Sequence, residues 1–259
     1  MQRISKKQGM DIGMSIIITG KTNTGKKRSA KVNEDSFFAG QIKDIYLAVV
    51  CDGVGGAKGG NIASSSAVKS FVDTVTEFLT DSSNYRDILF AATARANEKV
   101  FSLSKKNKDL RGMGTTMVAC IFDGNEKNYY AINIGDSRMY MIDDKNGSIT
   151  QITKDHSLVQ EMVDSGAMTK EQAAKSPNKN IITRVIGSDD VVEVDFYENK
   201  YLSGIFLLCS DGLHDYVDEA DIAKYISQYD DMDHCADELI GKANENGGGD
   251  NITAVIIKP

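Results

Sequence analysis

Residues 47–53 read LAVVCDG and residues 206–212 read FLLCSDG, so the chain twice drives an aliphatic run into Asp-Gly. Short apolar runs bounded by turn residues read as strands with both faces covered. Each repeat therefore delivers a carboxylate, Asp52 or Asp211, where a buried strand leaves its sheet. Further β-branched or aromatic runs at 15–19, 45–51, 115–122, 128–134, 138–142, 191–197, 205–209 and 252–257 are the expected strands. Helical spacing links Val68, Phe71, Val72, Val75, Phe78 and Leu79. It recurs through Tyr85, Ile88, Leu89, Ala92, Ala96, Val100 and Leu103, and again through Met232, Cys235, Ala236, Leu239, Ile240 and Ala243. A shorter helical insert is expected near 157–175. Strands, two consecutive helices, more strands, an insert and a final helix before the last strand do not alternate as βαβ units. That order favours packed, largely antiparallel sheets with helices outside.

Composition narrows the function. The 259 residues are 41% hydrophobic and 26% charged, enough for a substantial core and unlike a disordered chain. Thirty Lys+Arg against 37 Asp+Glu give a formal charge of −7, which argues against a nucleic-acid binder. No apolar run approaches the roughly 20 residues that span a bilayer, and the opening MQRISKKQGMDIG precedes only the brief run SIII. A cytoplasmic protein without membrane attachment is expected. Cys51, Cys120 and Cys209 sit in apolar runs and Cys235 on an apolar helix face, so all four read as core filler. Only Pro177 and Pro259 are prolines, and no linker divides the chain. The expectation is a flexible arm over 1–14 and a single domain over 15–259.

A lone Asp-Gly at a strand end is ordinarily a turn. Here Asp250 also follows Gly247, Gly248 and Gly249 ahead of the strand NITAVII, and Asp35 sits in NEDSF. Several carboxylates at the mouths of central strands repel one another unless a cation holds them. The candidates are hard oxygens without His or Cys nearby, which favours Mg²⁺ or Mn²⁺ over zinc. Glycine beside Asp52 leaves its carbonyl free to face an ion. Paired ions of this kind activate water against phosphorus, so the residues point to phosphate-ester hydrolysis.

The motifs carry a resemblance. NEDS from Asn33, DGVGGAKGGNIAS from Asp52, RGMGTTMVA from Arg111, GDSRMY from Gly135, TKDHSLVQEMVDSGAM from Thr153, NIITRVIG from Asn180, LLCSDGLHDYV from Leu207 and GGGDNITAVII from Gly247 occur in order. They resemble the successive motifs of the metal-dependent protein Ser/Thr phosphatases of type 2C, bacterial branch. The resemblance implies an α+β fold, a four-layer α-β-β-α sandwich with two largely antiparallel sheets flanked by helices. It also implies two tight Mg²⁺ or Mn²⁺ sites and a third, weaker one. Asp52 corresponds to the ligand bridging both metals, Gly53 to the adjacent carbonyl ligand, and Asp211 and Asp250 to further ligands of the first metal. Glu34 and Asp35 match the acidic pair serving the second metal. Asp136 matches the position that, with Asp211, holds the third. Asp35, Asp52 and Asp211 are accordingly the expected catalytic carboxylates. Residues 157–184 resemble the flap beside the active site. The implied substrates are phosphoproteins, in opposition to a Ser/Thr protein kinase, with the enzyme acting as a monomer.

Several positions depart from the pattern. Ala30 stands where the family has an arginine that grips phosphate; Arg28 and Lys31 flank it, and Arg28 is the expected substitute because its planar fork can reach two oxygens. Val54 stands where animal members carry a histidine, and Ala57 and Asn61 replace a His and a Glu of the bacterial pattern. The alternative motivated by Ala30 is a non-catalytic metal- or phosphoprotein-binding regulator of the same fold. Residues 20–27, GKTNTGKK, nearly spell a P-loop, but Lys27 replaces the required Ser/Thr and no amphipathic helix follows; a basic connecting loop is expected. No cysteine has an arginine six residues on. The three histidines, His156, His214 and His234, offer little to a histidine-based mechanism, and His156 reads at least as well as a loop anchor. Asp136 read without the resemblance is a hairpin turn between two strands.

Overall fold

The computed structural model describes residues 16–29, 31–54, 59–80, 84–201 and 203–259. The expected arm over 1–14 and the departures at Ala30 and Ala57 lie outside the described residues.

Two antiparallel sheets face each other. One runs β1 (Ile17–Asn23), β11 (Ile252–Lys258), β10 (Ile205–Cys209), β7 (Arg138–Ile142), β8 (Ile149–Gln151). The other runs β2 (Asp35–Ile42), β3 (Ile45–Val54), β5 (Met117–Asp123), β6 (Asn128–Ile134), β9 (Asp195–Lys200), with the two-residue β4 (Gly114–Thr115) paired to the end of β3. The outer face of the second sheet is covered by α1 (Gly60–Phe78) and α2 (Tyr85–Lys106), and that of the first by α6 (Glu219–Gln228) and α7 (Met232–Glu245). This is the expected four-layer α-β-β-α sandwich.

The alternation of side chains explains why the central strands are apolar throughout. Leu47, Val49 and Cys51 of β3 pack toward α1 and α2, while Ala48 and Val50 point between the sheets. Leu207 and Cys209 of β10 meet the helices on the other side, while Phe206 and Leu208 enter the same middle layer. That layer centres on aromatic rings, with Phe206 4.8 Å from Phe122 and 5.4 Å from Tyr129 between centroids. All four cysteines are buried and free, as expected of core filler. Among the described residues no helix is long and apolar enough to cross a membrane.

Several elements correct the sequence reading. The first strand runs to Asn23, not Thr19, so half of GKTNTGKK is strand paired to β11 and not connecting loop; Lys26–Arg28 then form a 3-10 turn. The expected strand at 191–197 begins at Asp195, and Val191 is 78% exposed. Edge strands β2 and β8 and helix α6 were not anticipated. The insert forms two short helices, α3 (Leu158–Asp164) and α4 (Lys170–Ala174), each capped by a hydroxyl, Ser157 and Thr169. The Gly135-Asp136-Ser137 turn is not a hairpin: β6 and β7 lie in different sheets, and the turn carries the chain across.

Candidate active site

The carboxylates collect where the two sheets end. Asp35 opens β2 directly opposite Asp52 near the end of β3. From the facing sheet, Asp211 follows β10 as the first residue of α5 (Asp211–His214), and Asp250 precedes β11. Asp136 arrives on the crossing turn.

Backbone contacts hold Asp52 from both sides. Its carbonyl accepts from Thr115 Oγ1 at 2.7 Å and the Thr116 amide at 2.8 Å, and its amide donates to Thr116 Oγ1 at 2.9 Å. Gly53 is required by close approach: a Cβ there would lie 2.2 Å from the Gly60 carbonyl at the start of α1. Gly135 is required by conformation as well as space, with φ at +99° and a Cβ that would lie 2.6 Å from Thr116 Cγ2.

Asp35 links the sheets. Its Oδ2 accepts from Ser210 Oγ at 2.7 Å and Thr253 Oγ1 at 2.6 Å, both on the facing sheet. Glu34 stands apart, its carboxylate against Gly60, its amide donating to Asn251 Oδ1 at 2.8 Å. Arg28, in the 3-10 turn after β1, pairs with Asp250. The 3-10 turn therefore brings Arg28 to the carboxylate end of the sandwich.

Two histidines fix the Asp136 turn: His156, read above as a loop anchor, and His214, which was not singled out. His214 Nε2 donates to the Asp136 carbonyl at 3.1 Å. His156 Nδ1 accepts from the Gly135 amide at 3.0 Å, and its Nε2 faces Asp195 at 3.2 Å. Burial lowers the pKa of both, and of His214 far more. The neutral tautomer suits His156, since a proton on Nδ1 would point at the Gly135 N–H. A cavity of about 410 Å³ runs from Asp136 and Asp211 along the α3–α4 insert, where Lys179 pairs with Asp215 at 2.7 Å.

Electrostatics at this end are strained. Burial, then repulsion from Asp211, pushes Asp35 up to about 7 despite its two hydroxyl donors. Burial, then the charge of Asp211, pushes Asp136 up to about 8. Asp52 is raised well above the usual carboxylate range by burial and then by Asp35, Asp211 and Asp136. Asp211 is raised by burial and by Asp215. Asp35, Asp52 and Asp211 therefore crowd together, and each is biased toward its protonated form. Among the described residues no three His, Cys, Asp or Glu side chains are set to hold a metal ion as they stand. The donor set nevertheless suits one. Asp35 Oδ1, Asp136 Oδ1 and Asp211 Oδ1 are buried without any hydrogen-bond partner, and hard anionic oxygens left unpaired in this way are compensated by a divalent cation.

Comparison with known proteins decides the family. The family model described as Protein phosphatase 2C matches residues 23–243. The chain belongs to the protein phosphatase 2C family. The serine/threonine phosphatase stp of Listeria innocua is 35% identical over 239 residues, covering 91% of this chain and 93% of that protein. The crystal structure of the serine/threonine phosphatase Stp1 from Staphylococcus aureus superposes with a TM-score of 0.88 at 31% identity, covering 98% of this chain and 99% of that one. The catalytic domain of the serine threonine protein phosphatase PstP, solved in complex with two manganese ions, superposes at 0.80 with 31% identity, covering 94% and 97%. The phosphatase thus shares its sandwich fold with these relatives.

Proposed function

We propose that this phosphatase hydrolyses phosphoserine and phosphothreonine esters on proteins, opposing a Ser/Thr protein kinase, with Mg²⁺ or Mn²⁺ held by Asp52, the Gly53 carbonyl, Asp35 with Glu34, Asp211 and Asp250, and a weaker site at Asp136 and Asp211. The observation that carries the reading is the trio of unpaired buried carboxylate oxygens on Asp35, Asp136 and Asp211. When bound, the metals supply charge compensation and a water acidic enough to attack phosphorus at neutral pH. The chain's own residues then do the rest. Ser210 and Thr253 orient Asp35, while Thr115 and Thr116 fix the Asp52 backbone. His214 and His156 set the Asp136 turn. Arg28, beside Asp250, is placed to exchange that partner for phosphate oxygens, where a bidentate guanidinium outperforms a lysine. Val54 offers no proton, so the leaving alkoxide takes its proton from water.

The test is hydrolysis of p-nitrophenyl phosphate and of a phosphothreonine peptide. Turnover is expected with Mn²⁺ or Mg²⁺ and should vanish in EDTA. Arg28→Ala should raise KM for the peptide more than Lys31→Ala does. Full turnover in EDTA would overturn the metal mechanism, and no turnover under any metal would favour the regulator reading.

A further inference from the structure

Beyond Asp52 and Gly53, β3 ends at Val54, and Val54 lines a second groove of about 630 Å³ that the proposed chemistry does not use. Its walls include Phe101 and Lys105 from the end of α2, Lys108 and Arg111 from the turn that follows, and Met113. The floor is apolar, with Met113 buried, and the rim is cationic, with Lys105, Lys108 and Arg111 all exposed. Among the described residues none of the three pairs with a carboxylate, although acidic residues outnumber basic ones in the chain. Lys105 lies over the Phe101 ring at 4.9 Å.

Helix geometry accounts for only part of this charge. Lys105 and Lys106 complement the partial negative charge at the C-terminus of α2. Lys108 and Arg111 lie past the helix, where that effect has faded. Their backbone is nonetheless fixed: the Asn107 side chain accepts from the Asp109 amide at 3.0 Å, and the Gly112 amide donates to Ser104 Oγ at 3.1 Å. A held loop thus presents unpaired cations to a cavity. Gly114, also in the groove wall, pairs with Val54, and its neighbour Thr115 grips the Asp52 carbonyl. Val54 lies two residues along the strand from Asp52, so the groove begins about 7 Å from it.

We propose that this groove binds an acidic segment of the substrate polypeptide, with Asp or Glu about two to four residues from the phosphorylated one, a spacing set by the roughly 3.3 Å rise of an extended chain. The inference rests on the phosphatase reading above. A chain of net charge −7 repels acidic substrates at long range, so three cations that make no ion pair within the described residues, set beside the catalytic end, oppose that repulsion locally and impose a sequence preference.

Two phosphothreonine peptides, identical except for Glu or Gln at those positions, test it. Wild type should favour the Glu peptide about fivefold in kcat/KM at low ionic strength, mostly through KM, as two or three exposed ion pairs would give. The preference should shrink toward unity near 1 M salt, where screening acts within about 3 Å. The double substitution Lys108→Ala with Arg111→Ala should bring the ratio close to one, and Lys108→Glu with Arg111→Glu should invert it. A general loss of folding or metal binding lowers both peptides alike and cancels in the ratio. A wild-type ratio of one, or a ratio unmoved by both double variants, overturns the proposal. Fluorescence anisotropy of the same labelled peptides in EDTA gives the comparison without turnover. Absence of hydrolysis would therefore sink the phosphatase reading alone, and the anisotropy ratio would still decide the groove.

Discussion

Asp52, half-buried at the end of β3, is ringed by Asp35, Asp211 and Asp136, whose charges add to desolvation in raising its pKa well above the usual carboxylate range. In the metal-free protein that arrangement is destabilising, because a buried carboxyl must either hold a proton or face like charges. Asp52→Asn keeps the shape and removes the charge. It should therefore raise the melting temperature of the EDTA-treated protein at pH 8 while lowering Mn²⁺ affinity beyond the roughly 10–100-fold that loss of an outer-sphere partner costs. Calorimetry with and without Mn²⁺ checks both signs, and a variant that binds Mn²⁺ as wild type does would remove Asp52 from the proposed ligands. Asp52 and Asp211 were legible in the sequence because each ends an apolar run. Asp136 was legible only through the family resemblance, since Gly-Asp-Ser by itself reads the same in a hairpin as in a crossing between sheets. His214 and Ser210 were invisible as contributors: one reaches the Asp136 carbonyl and the other the Asp35 carboxylate only once the sheets are stacked.

Burial on both faces sets how far a strand can be read in advance. The expected bounds of β6, β7 and β10 coincide with those observed, and β10 packs on two layers at once, with Leu207 facing helices and Phe206 facing the other sheet. β2 and β9 lie at sheet edges, where DSFFAGQI and DFYENK mix Gly, Ser, Glu and Asn into the pattern and blur its period. The same distinction predicts energetics. Phe206→Ala empties the middle layer where Phe122, Tyr129 and Tyr201 meet, and should destabilise by about 3–5 kcal/mol. Val191→Ala, at a position 78% exposed, should stay within about 0.5 kcal/mol. Urea unfolding of the two variants checks this, with equal losses counting against the assigned middle layer.

At the scale of the whole molecule, the carboxylate end couples folding, protons and metal. Asp35 and Asp136 titrate near 7 and 8 in the fold, against about 3.9 in an unfolded chain. Between those values the metal-free fold binds more protons than the unfolded chain, so its stability falls as pH rises. The contribution is complete below the unfolded value and lost as pH passes through 7 to 8. His156 and His214 act oppositely, because their lowered values cost stability only as pH drops below about 6.5. From pH 6.5 to 8.5 the carboxylates therefore dominate, and the buried thiols of Cys51, Cys120, Cys209 and Cys235, all pushed up by burial, add a loss of the same sign at the upper end. Cation binding must displace the protons that the raised carboxyls retain, so affinity should climb across the same window. The EDTA-treated protein should melt at lower temperature at pH 8.5 than at pH 6.5, and the rise on adding Mn²⁺ should be larger at pH 8.5. A metal-free melting temperature that increases with pH over this range would mean that the carboxyls are already ionised and held by some other partner, and the coupling between them would have to be abandoned.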